Sequence, residues 1–419
     1  MHNPVRLSTL SHLPNFLTTL IASRSAAFHG PVVRQREHPP QQPTFSLFTL
    51  LQRIVLDQFR NYRHQELLLA PGVNALIGEN GQGKTNLLEA VYYLSLLRSF
   101  RTSQVNNLVA YGSQSFTLFG EVLSETESGR VTRLGVSNGR ERRLMIDGQS
   151  VRKASEFISR LVCAAFLPGD LAIVQGAPGV RRSFLNIALC QLYPNYLIAL
   201  QSYNEALQNR NAMLKTPDRY PRGTVTAYDQ VLAQHGASIE VTRQRFGKAL
   251  DQAVRRQSEF FFPDGRQLSV KFLSGIQFLL DGVKNDEAVV AAEFLDSLNK
   301  NYERDCREGS TRLGPQRSDL ACQLNGKPLA QFGSEGECRT AAIALRFGVL
   351  ELLREQKGQS EITMIVDDVL GELDATRRDA FLQQLVASGQ VIFAGTSLPP
   401  GFGTDIKSFR VERGTVAEG

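Results

Sequence analysis

The sequence predicts an α/β fold that is interrupted by a long, mainly helical insertion. Three observations carry this prediction. An apolar run and a helical pattern flank a glycine-rich segment at residues 78–86, helical patterns dominate from about residue 179 to 260, and short apolar runs alternate with helical patterns again towards the end. Strands that alternate with helices are typical of a sheet with parallel strands.

The composition fits an ordinary globular chain long enough for two or three domains. Of 419 residues, 42% are hydrophobic and 21% are charged. The five cysteines are scattered, so neither a disulfide framework nor a metal cluster is predicted, and a reducing, cytoplasmic location is expected. No run of about 18 apolar residues occurs, so no membrane-spanning segment is expected.

Residues 1–49 differ from the rest of the chain. They are rich in proline and glutamine and supply half of the formal net charge of +6. We expect a poorly ordered extension or a start site assigned too far upstream, with a targeting peptide as the less favoured alternative. The remaining excess of positive charge permits a nucleic-acid partner without requiring one.

The elements follow in order from residue 50. Strands are predicted at 51–62 and 64–80, a helix from residue 84, and hairpins over 116–151, with a turn at "DGQ". After the helical block, a strand is predicted at 268–275 and one helix at 286–309. The end of the chain is predicted as helix 338–356, strand 362–368, helix 375–388 and strand 390–395. The predicted divisions are an N-terminal lobe (50–180), a helical arm (181–308) and a C-terminal lobe (309–419).

The segment "GENGQGKTN" fits the phosphate-loop pattern G-x-x-x-x-G-K-[ST]. Its glycines let backbone N–H groups surround phosphate oxygens at a helix N-terminus. Lys84 should reach the β- and γ-phosphates of ATP, and Thr85 should bind Mg²⁺. A strand before and a helix after the segment argue against a glycine turn without a ligand. The predicted ATP-binding residues are Gly78, Glu79, Asn80, Gly81, Gln82, Gly83, Lys84, Thr85 and Asn86.

The run "ITMIVDD" supplies the carboxylates that the phosphate loop lacks. It places Asp367 at the carboxyl end of a buried strand, where open parallel sheets bind ligands. Asp367 is predicted to hold Mg²⁺, and Asp368 to orient or deprotonate the attacking water, so that Asp368 and Lys84 are the predicted catalytic residues. An ordinary helix cap after an apolar strand is the alternative interpretation.

A second helix start that suits a phosphate lies at residues 334–336. Ser334 and Gly336 precede a long helix, whose N-terminus carries positive partial charge. Because the chain has a single phosphate loop, this end is predicted to bind the nucleotide of another subunit. An ordinary cap by Ser334 is the alternative.

These segments together resemble the ABC-type ATPases of chromosome maintenance, and more closely the RecF family of bacterial recombination proteins. The resemblance runs from about residue 53 to 400. It rests on "FRNY", "GENGQGKTNLLEA", "RSFRTS", "GAPGVRRSFLN", "LGPQRSDL", "NGKPLAQFGSEGECRTAAIALR" and "DDVLGELDATRRDAFL".

The resemblance implies a P-loop ABC-type ATPase head with an inserted arm, whose two copies enclose two ATP molecules and clamp duplex DNA at gaps or junctions. It further implies a weak ATPase that serves as a switch in DNA replication and repair, with recombination mediators of the RecO and RecR type as partners. Residues 371–374 match the loop that crosses the dimer interface, and 166–176 match the loop that senses the γ-phosphate. Thr396 or Ser397 stands at the position of the switch histidine.

Three residues depart from the family's pattern. Glu337 stands where Gln is usual, Gly169 replaces a glutamate of the sensing loop, and Asp368 is shorter than the glutamate of transporter ATPases. The resemblance therefore implies slow turnover, and an acid near the partner's phosphates unless Glu337 points away.

Three arginine-rich runs are predicted to contact DNA phosphates without reading base sequence. A solvated charged face is the alternative interpretation of each. A chromosome-maintenance ATPase or a transporter motor would share the nucleotide chemistry, and a kinase would need an acceptor pocket for which the sequence offers no argument. The basic residues concerned are Arg98, Arg101, Arg140, Arg142, Arg143, Arg152, Lys153, Arg181 and Arg182.

Overall fold

The computed structural model describes residues 49–124, 130–276, 286–357, 362–403 and 406–419. The predicted N-terminal extension lies outside the described residues, apart from its last position. The strands are β1 (Thr49–Phe59), β2 (Tyr62–Leu68), β3 (Val73–Ile77), β4 (Phe116–Ser124), β5 (Arg130–Asn138), β6 (Arg142–Ile146), β7 (Gln149–Val151), β8 (Cys163–Phe166), β9 (Leu268–Leu273), β10 (Asp319–Leu324), β11 (Lys327–Pro328), β12 (Thr363–Asp367), β13 (Val391–Gly395), β14 (Ile406–Glu412) and β15 (Thr415–Glu418).

The helices alternate with these strands on both sides of a helical block. They are α1 (Lys84–Leu96), α2 (Ala154–Ile158), α3 (Leu171–Gln175), α4 (Pro178–Leu192), α5 (Pro194–Leu214), α6 (Arg222–Phe261), α7 (Glu287–Lys300), α8 (Tyr302–Glu308), α9 (Leu329–Phe332), α10 (Glu335–Lys357) and α11 (Ala375–Val386). The predicted α/β class is confirmed.

A six-stranded sheet of order β15-β14-β3-β13-β12-β8 forms the centre of the molecule. Its strands are parallel except for β15, and β12 is buried at every position. Strands covered on both faces read as continuous apolar runs, which is why "ITMIV" could be identified from sequence. Leu76 and Ile365 face the core around α1, while Met364 and Phe393 face a second core that includes α10 and α11.

A second six-stranded sheet, of order β2-β1-β4-β5-β6-β7, is antiparallel throughout. Its apolar residues share one core with α1. The predicted hairpins over 116–151 are confirmed, and the predicted turn joins β6 to β7. Asp147 and Gly148 have φ angles of 51° and 79° there, as a two-residue hairpin turn requires.

The helical block contains the longest element, α6, whose 40 residues span about 60 Å. Helices α5, α7 and α10 pack against α6. The strand after α6 also joins the block to the last part of the chain, because β9 pairs with β10 in a three-stranded antiparallel sheet. The boundaries of the arm at residues 181 and 308 stay a prediction.

Two predicted elements are each divided in the structure. The strand predicted at 64–80 is two strands, β2 and β3, in different sheets. Asn74 stabilises the break, since its side chain accepts from Ala70 N at 2.7 Å and donates to Ala70 O at 2.9 Å. The helix predicted at 286–309 is likewise divided at Asn301 into α7 and α8. Strands β8, β10, β11, β14 and β15 were not predicted.

Candidate nucleotide site

The phosphate loop joins β3 to α1 at the carboxyl edge of the central sheet, where β12 and β13 also end. A cavity of about 360 Å³ lies at this edge. The phosphate loop and the two aspartates predicted to act with it line the same cavity, although nearly 300 positions separate the loop from the aspartates in sequence. The lining residues are Asn80, Gly81, Gly83, Lys84, Thr85, Asn86, Arg101, Asp367, Asp368, Ala394, Gly395 and Thr396.

Lys84 is the first residue of α1 and is buried at 8% exposure. Its Nζ donates to Gly78 O at 2.6 Å and Glu79 O at 2.7 Å, so the loop folds around the ammonium group. Burial lowers the pKa of Lys84, while Asp368 and Asp367 oppose that shift. A cation held at the helix N-terminus suits a phosphate.

Gly83 has a φ of 120°, and a Cβ there would lie 2.5 Å from Asn61 Nδ2. Only glycine fits this position, because any side chain would clash and would also meet a backbone conformation unfavourable to L-residues. The predicted glycine requirement thus has both a conformational and a steric cause.

The two predicted Mg²⁺ ligands lie in direct contact. Thr85 Oγ1 donates to Asp367 Oδ1 at 3.0 Å, although 282 positions separate these residues. Burial of the Asp367 carboxyl, which is 7% exposed, raises its pKa. A hydroxyl and a carboxylate oxygen at the cavity wall are hard oxygen donors of the kind Mg²⁺ prefers, so these two residues fit that ion.

Asp368 follows β12 with a φ of 47°, and its side chain is exposed at the cavity. Its backbone N donates to Ala394 O at 3.3 Å, which ties the turn after β12 to β13. Thr396, rather than Ser397, lines the cavity. The catalytic role of Asp368 stays a prediction.

A buried acid next to the loop was not identified from sequence. Glu89 of α1 is fully buried and accepts two hydrogen bonds from Arg60, each 2.8 Å long. Ser99 donates to the same carboxylate. A glutamate within the apolar helix pattern "LLEAVYYLSLL" signals a buried basic partner, but only the fold identifies which one.

Arg101, for which a contact with DNA stays a prediction, lines the nucleotide cavity. Its Nη1 donates to Asn86 Oδ1 at 2.7 Å. This guanidinium therefore contributes positive charge to the candidate nucleotide site. It lies beside Asn86, which is the last residue of the predicted ATP-binding segment.

Ser334 caps α10 at its N-terminus. Ser334 Oγ accepts from Glu337 N at 3.3 Å, and Glu337 Oε2 accepts from Ser334 N at 2.8 Å, which is a capping box. Glu337 also forms an ion pair with Arg266. Hydrogen bonds from Ser334, reinforced by Arg266, lower the pKa of the Glu337 carboxyl. The carboxylate predicted to approach a partner's phosphates is thus engaged within its own subunit.

Gly336 lies in the first turn of α10, near the start of α11. A Cβ on Gly336 would lie 3.7 Å from Arg377 Nη1. Asp374, at the end of the predicted interface loop, caps α11 by accepting from Arg377 N at 2.9 Å. The two segments predicted to face another subunit therefore lie side by side.

The predicted sensing loop links the nucleotide cavity to α10. Arg346 of α10 donates to Asp170 Oδ1 at 2.6 Å and to Oδ2 at 3.0 Å. A second cavity, of about 390 Å³, is lined by this loop and by Thr85 and Asp367. A Cβ on Gly169 would meet no atom within 4 Å, so the missing glutamate leaves open space.

Two groups of the basic residues predicted to contact DNA differ in their surroundings. Arg140, Arg142 and Arg143 are exposed on the β5–β6 hairpin, and none forms an ion pair with a described residue. Arg181 instead pairs with Asp319 through bonds of 2.6 and 2.8 Å, and Arg182 donates to Ser318 O at 3.1 Å. The guanidinium of Arg181 is thus engaged within the chain, and its contact with DNA stays a prediction.

Residues 50–397 match the family model described as the RecF/RecN/SMC N-terminal domain. The chain is 32% identical over 383 residues to the DNA replication and repair protein RecF of Streptococcus pyogenes serotype M4, covering 87% of this chain and 98% of that relative. The chain belongs to the RecF family.

Solved structures agree with this membership of the RecF family. The structure of the recombination mediator protein RecF-ATPrS in the RecFOR pathway matches with a TM-score of 0.80 and 28% identity, covering 89% of this chain and 99% of that one. An Smc head domain from Pyrococcus furiosus, at 12% identity and a TM-score of 0.50 over 88% of this chain and 95% of that one, shares the fold alone. The resemblance stated from the sequence motifs is confirmed.

Among the described residues, no helix has both the length and the apolar character needed to span a membrane.

Proposed function

We propose that this chain is an ATP-dependent DNA-binding protein of DNA replication and recombinational repair. The observation that carries the proposal is the contact between Thr85 and Asp367 beside Lys84, which brings residues suited to a phosphate and a metal ion together from two distant segments. Membership of the RecF family supports the biological setting, since the relatives are named for replication and repair. The solved RecF-ATPrS and RecF-ATP structures support ATP as the nucleotide.

In this proposal the phosphate loop holds the triphosphate and Lys84 moves its ammonium from Gly78 O and Glu79 O to the β- and γ-phosphates. Thr85 and Asp367 hold Mg²⁺, which supplies charge neutralisation at those phosphates. Asp368 orients the attacking water. Its short side chain and the open space at Gly169 support a slow ATPase that acts as a switch.

We further propose that the chain forms a homodimer when it binds ATP. Ser334 and Gly336 of each subunit approach the nucleotide that the other subunit binds, and ATP thereby closes the two heads. The exposed position of Ser334 and the location of Gly336 beside Arg377, in the first turn of α11, support this arrangement. Opening follows hydrolysis, because the γ-phosphate that joins the subunits is lost.

The proposed partners are duplex DNA and recombination mediator proteins. Arg140, Arg142 and Arg143 present guanidinium groups that pair with no carboxylate among the described residues, which suits the phosphates of duplex DNA at gaps or junctions. Their contact is independent of base sequence. Recombination mediators of the RecO and RecR type and a cytoplasmic location complete the proposal, on the strength of family membership.

A chromosome-maintenance ATPase is the second candidate function. The Smc head domain shares the fold, but its 12% identity carries no functional argument. The 32% identity to RecF over nearly the whole relative favours the RecF function.

A salt titration of duplex binding tests the proposal. With ATP, two arginine clusters should contact one duplex, so the logarithm of affinity should fall about twice as steeply with the logarithm of salt concentration as with ADP. Changing Arg140, Arg142 and Arg143 to Gln should flatten the slope with ATP.

The matched control changes Arg304, Arg307 and Arg312 to Gln, which removes the same charge from a different exposed surface. Its slopes should equal those of the parent. Equal slopes of the parent protein with ATP, with ADP and without nucleotide would refute the ATP-dependent clamp.

A further inference from the structure

The turn between β14 and β15 lies directly against the outside of the phosphate loop. Gln82 is bound there twice: its backbone O accepts from Gly414 N at 3.0 Å, and its side-chain Oε1 accepts from Arg413 N at 2.8 Å. Strand β14 is parallel to β3 up to the pair of Arg410 with Ile77, so it delivers the turn to the loop.

The approach is too close for any additional carbon atom. A Cβ on Gly78 would lie 2.3 Å from Val411 O, and a Cβ on Gly414 would lie 2.5 Å from Asn61 O. Gly414 also has a φ of 76°. The hairpin and the loop are therefore in direct backbone contact.

The turn between β1 and β2 supports the loop from a second side. Asn61 Nδ2 donates to Gln82 O at 3.2 Å, and Asn61 Oδ1 accepts from Asn86 Nδ2 at 2.8 Å. The hydroxyl of Tyr62 donates to Gly83 O at 3.0 Å. Two consecutive carbonyl groups of the loop are thus held on its outer surface.

These bonds fix the direction of the amide groups that a phosphate needs. In a planar trans peptide the C=O and the following N–H point in opposite directions. Bonds that draw the carbonyls of Gln82 and Gly83 outward therefore turn the N–H groups of Gly83 and Lys84 towards the cavity. A loop with three glycines is otherwise costly to order on binding, and preorganisation lowers that cost.

We propose that the β14–β15 hairpin is a positioning element of the nucleotide site, and that Gln82 is the residue through which it acts. The hairpin lies beyond residue 397, where the match to the family model ends. It holds the phosphate loop in the form that binds ATP before the nucleotide arrives. This inference rests on the proposed ATP binding.

The test compares two hairpins with the same turn geometry. Arg413 and Gly414 have φ angles of 46° and 76°, and Asn325 and Gly326 of the β10–β11 turn have 49° and 76°. A Cβ at Gly326 would meet nothing within 4 Å. Gly326→Ala therefore carries the same backbone strain as Gly414→Ala but displaces nothing.

The measurements are the dissociation constant for a fluorescent ATP analogue and the melting temperature. Gly414→Ala should lose more thermal stability than Gly326→Ala, because only the Cβ at position 414 would meet a backbone atom. Gly414→Ala should weaken nucleotide binding about tenfold, the equivalent of one or two lost hydrogen bonds, and Gly326→Ala less than about twofold.

Gln82→Met is the second variant, since it removes the acceptor for Arg413 N and retains the length of the side chain. It should weaken nucleotide binding about fivefold, and it carries the test alone if Gly414→Ala fails to fold. The inference would be overturned if Gly414→Ala and Gly326→Ala bound the ATP analogue with affinities within twofold of each other. It would also be overturned if Gln82→Met bound the analogue as tightly as the parent. A parent protein that does not bind ATP would instead refute the proposed function.

Discussion

The two ends of the proposed nucleotide site differ in how their polar groups are arranged within one chain. At the phosphate-loop end, Lys84 is folded into the loop, and Thr85 contacts Asp367, its partner in the proposed Mg²⁺ site, at the wall of a cavity. At the Ser334 end, the serine donates from both its N and its Oγ to Glu337, and Arg266 pairs with the same carboxylate. The proposed ligands of the first end therefore line an open cavity, whereas the polar groups of the second are bound to one another.

This difference indicates that binding and assembly are separable steps. A nucleotide can bind one chain without any rearrangement of the Ser334 end. A phosphate that approaches Ser334 must compete with an anion already present, because the Glu337 carboxylate occupies the same donors. Assembly should therefore respond to changes at α10 that leave nucleotide affinity unaltered.

The largest effect is expected at the phosphate-loop end. Lys84→Met removes the buried cation that should contact two phosphates, and charged hydrogen bonds of this kind contribute about 1.5–3 kcal/mol each. ATP affinity should fall by about 100-fold or more. Lys300→Met, at an exposed position on α7, is the control and should bind ATP like the parent in calorimetry. Retention of tight binding by Lys84→Met would mean that the loop does not bind ATP through Lys84.

The next largest effect is expected on dimerisation, from a change at the Ser334 end alone. Ser334→Arg should abolish dimerisation with ATP, because a large cation replaces the hydroxyl at the expected interface, while ATP affinity of the monomer stays within about twofold of the parent. Light scattering with and without ATP measures dimerisation, and calorimetry measures the ATP affinity. Ser115→Arg places the same side chain on an exposed serine before β4 as a control. A Ser334→Arg protein that still dimerises with ATP would remove Ser334 from the interface.

The smallest effect is expected from removing the charge of Glu337. The pKa of Glu337 is lowered, so its carboxylate is charged at neutral pH. Glu337→Gln keeps an acceptor for Ser334 N but removes the charge that competes with a phosphate, and dimerisation with ATP should strengthen about threefold. Glu335→Gln removes the same charge from the same helix turn at an exposed position. Equal strengthening by both variants would show a general charge effect, and no change in Glu337→Gln would leave Glu337 as a cap alone.

Sequence alone identified the phosphate loop because all its required features are contiguous. The glycines, Lys84 and Thr85 lie within nine positions, between an apolar run and a helical pattern. The run "ITMIVDD" was readable for a related reason, since a strand covered on both faces must be apolar throughout. The family resemblance connected these segments with the one around Ser334, and membership of the RecF family is confirmed.

The tertiary structure decided which distant groups meet. Nothing in the local pattern predicted that Glu89 pairs with Arg60, that Arg181 pairs with Asp319, or that Glu337 pairs with Arg266. Strand β14 was missed, and with it the turn that holds Gln82. Local propensity reflects neighbours within a few positions, whereas a buried charge or an orphan carbonyl takes whichever partner the packing of remote segments brings near.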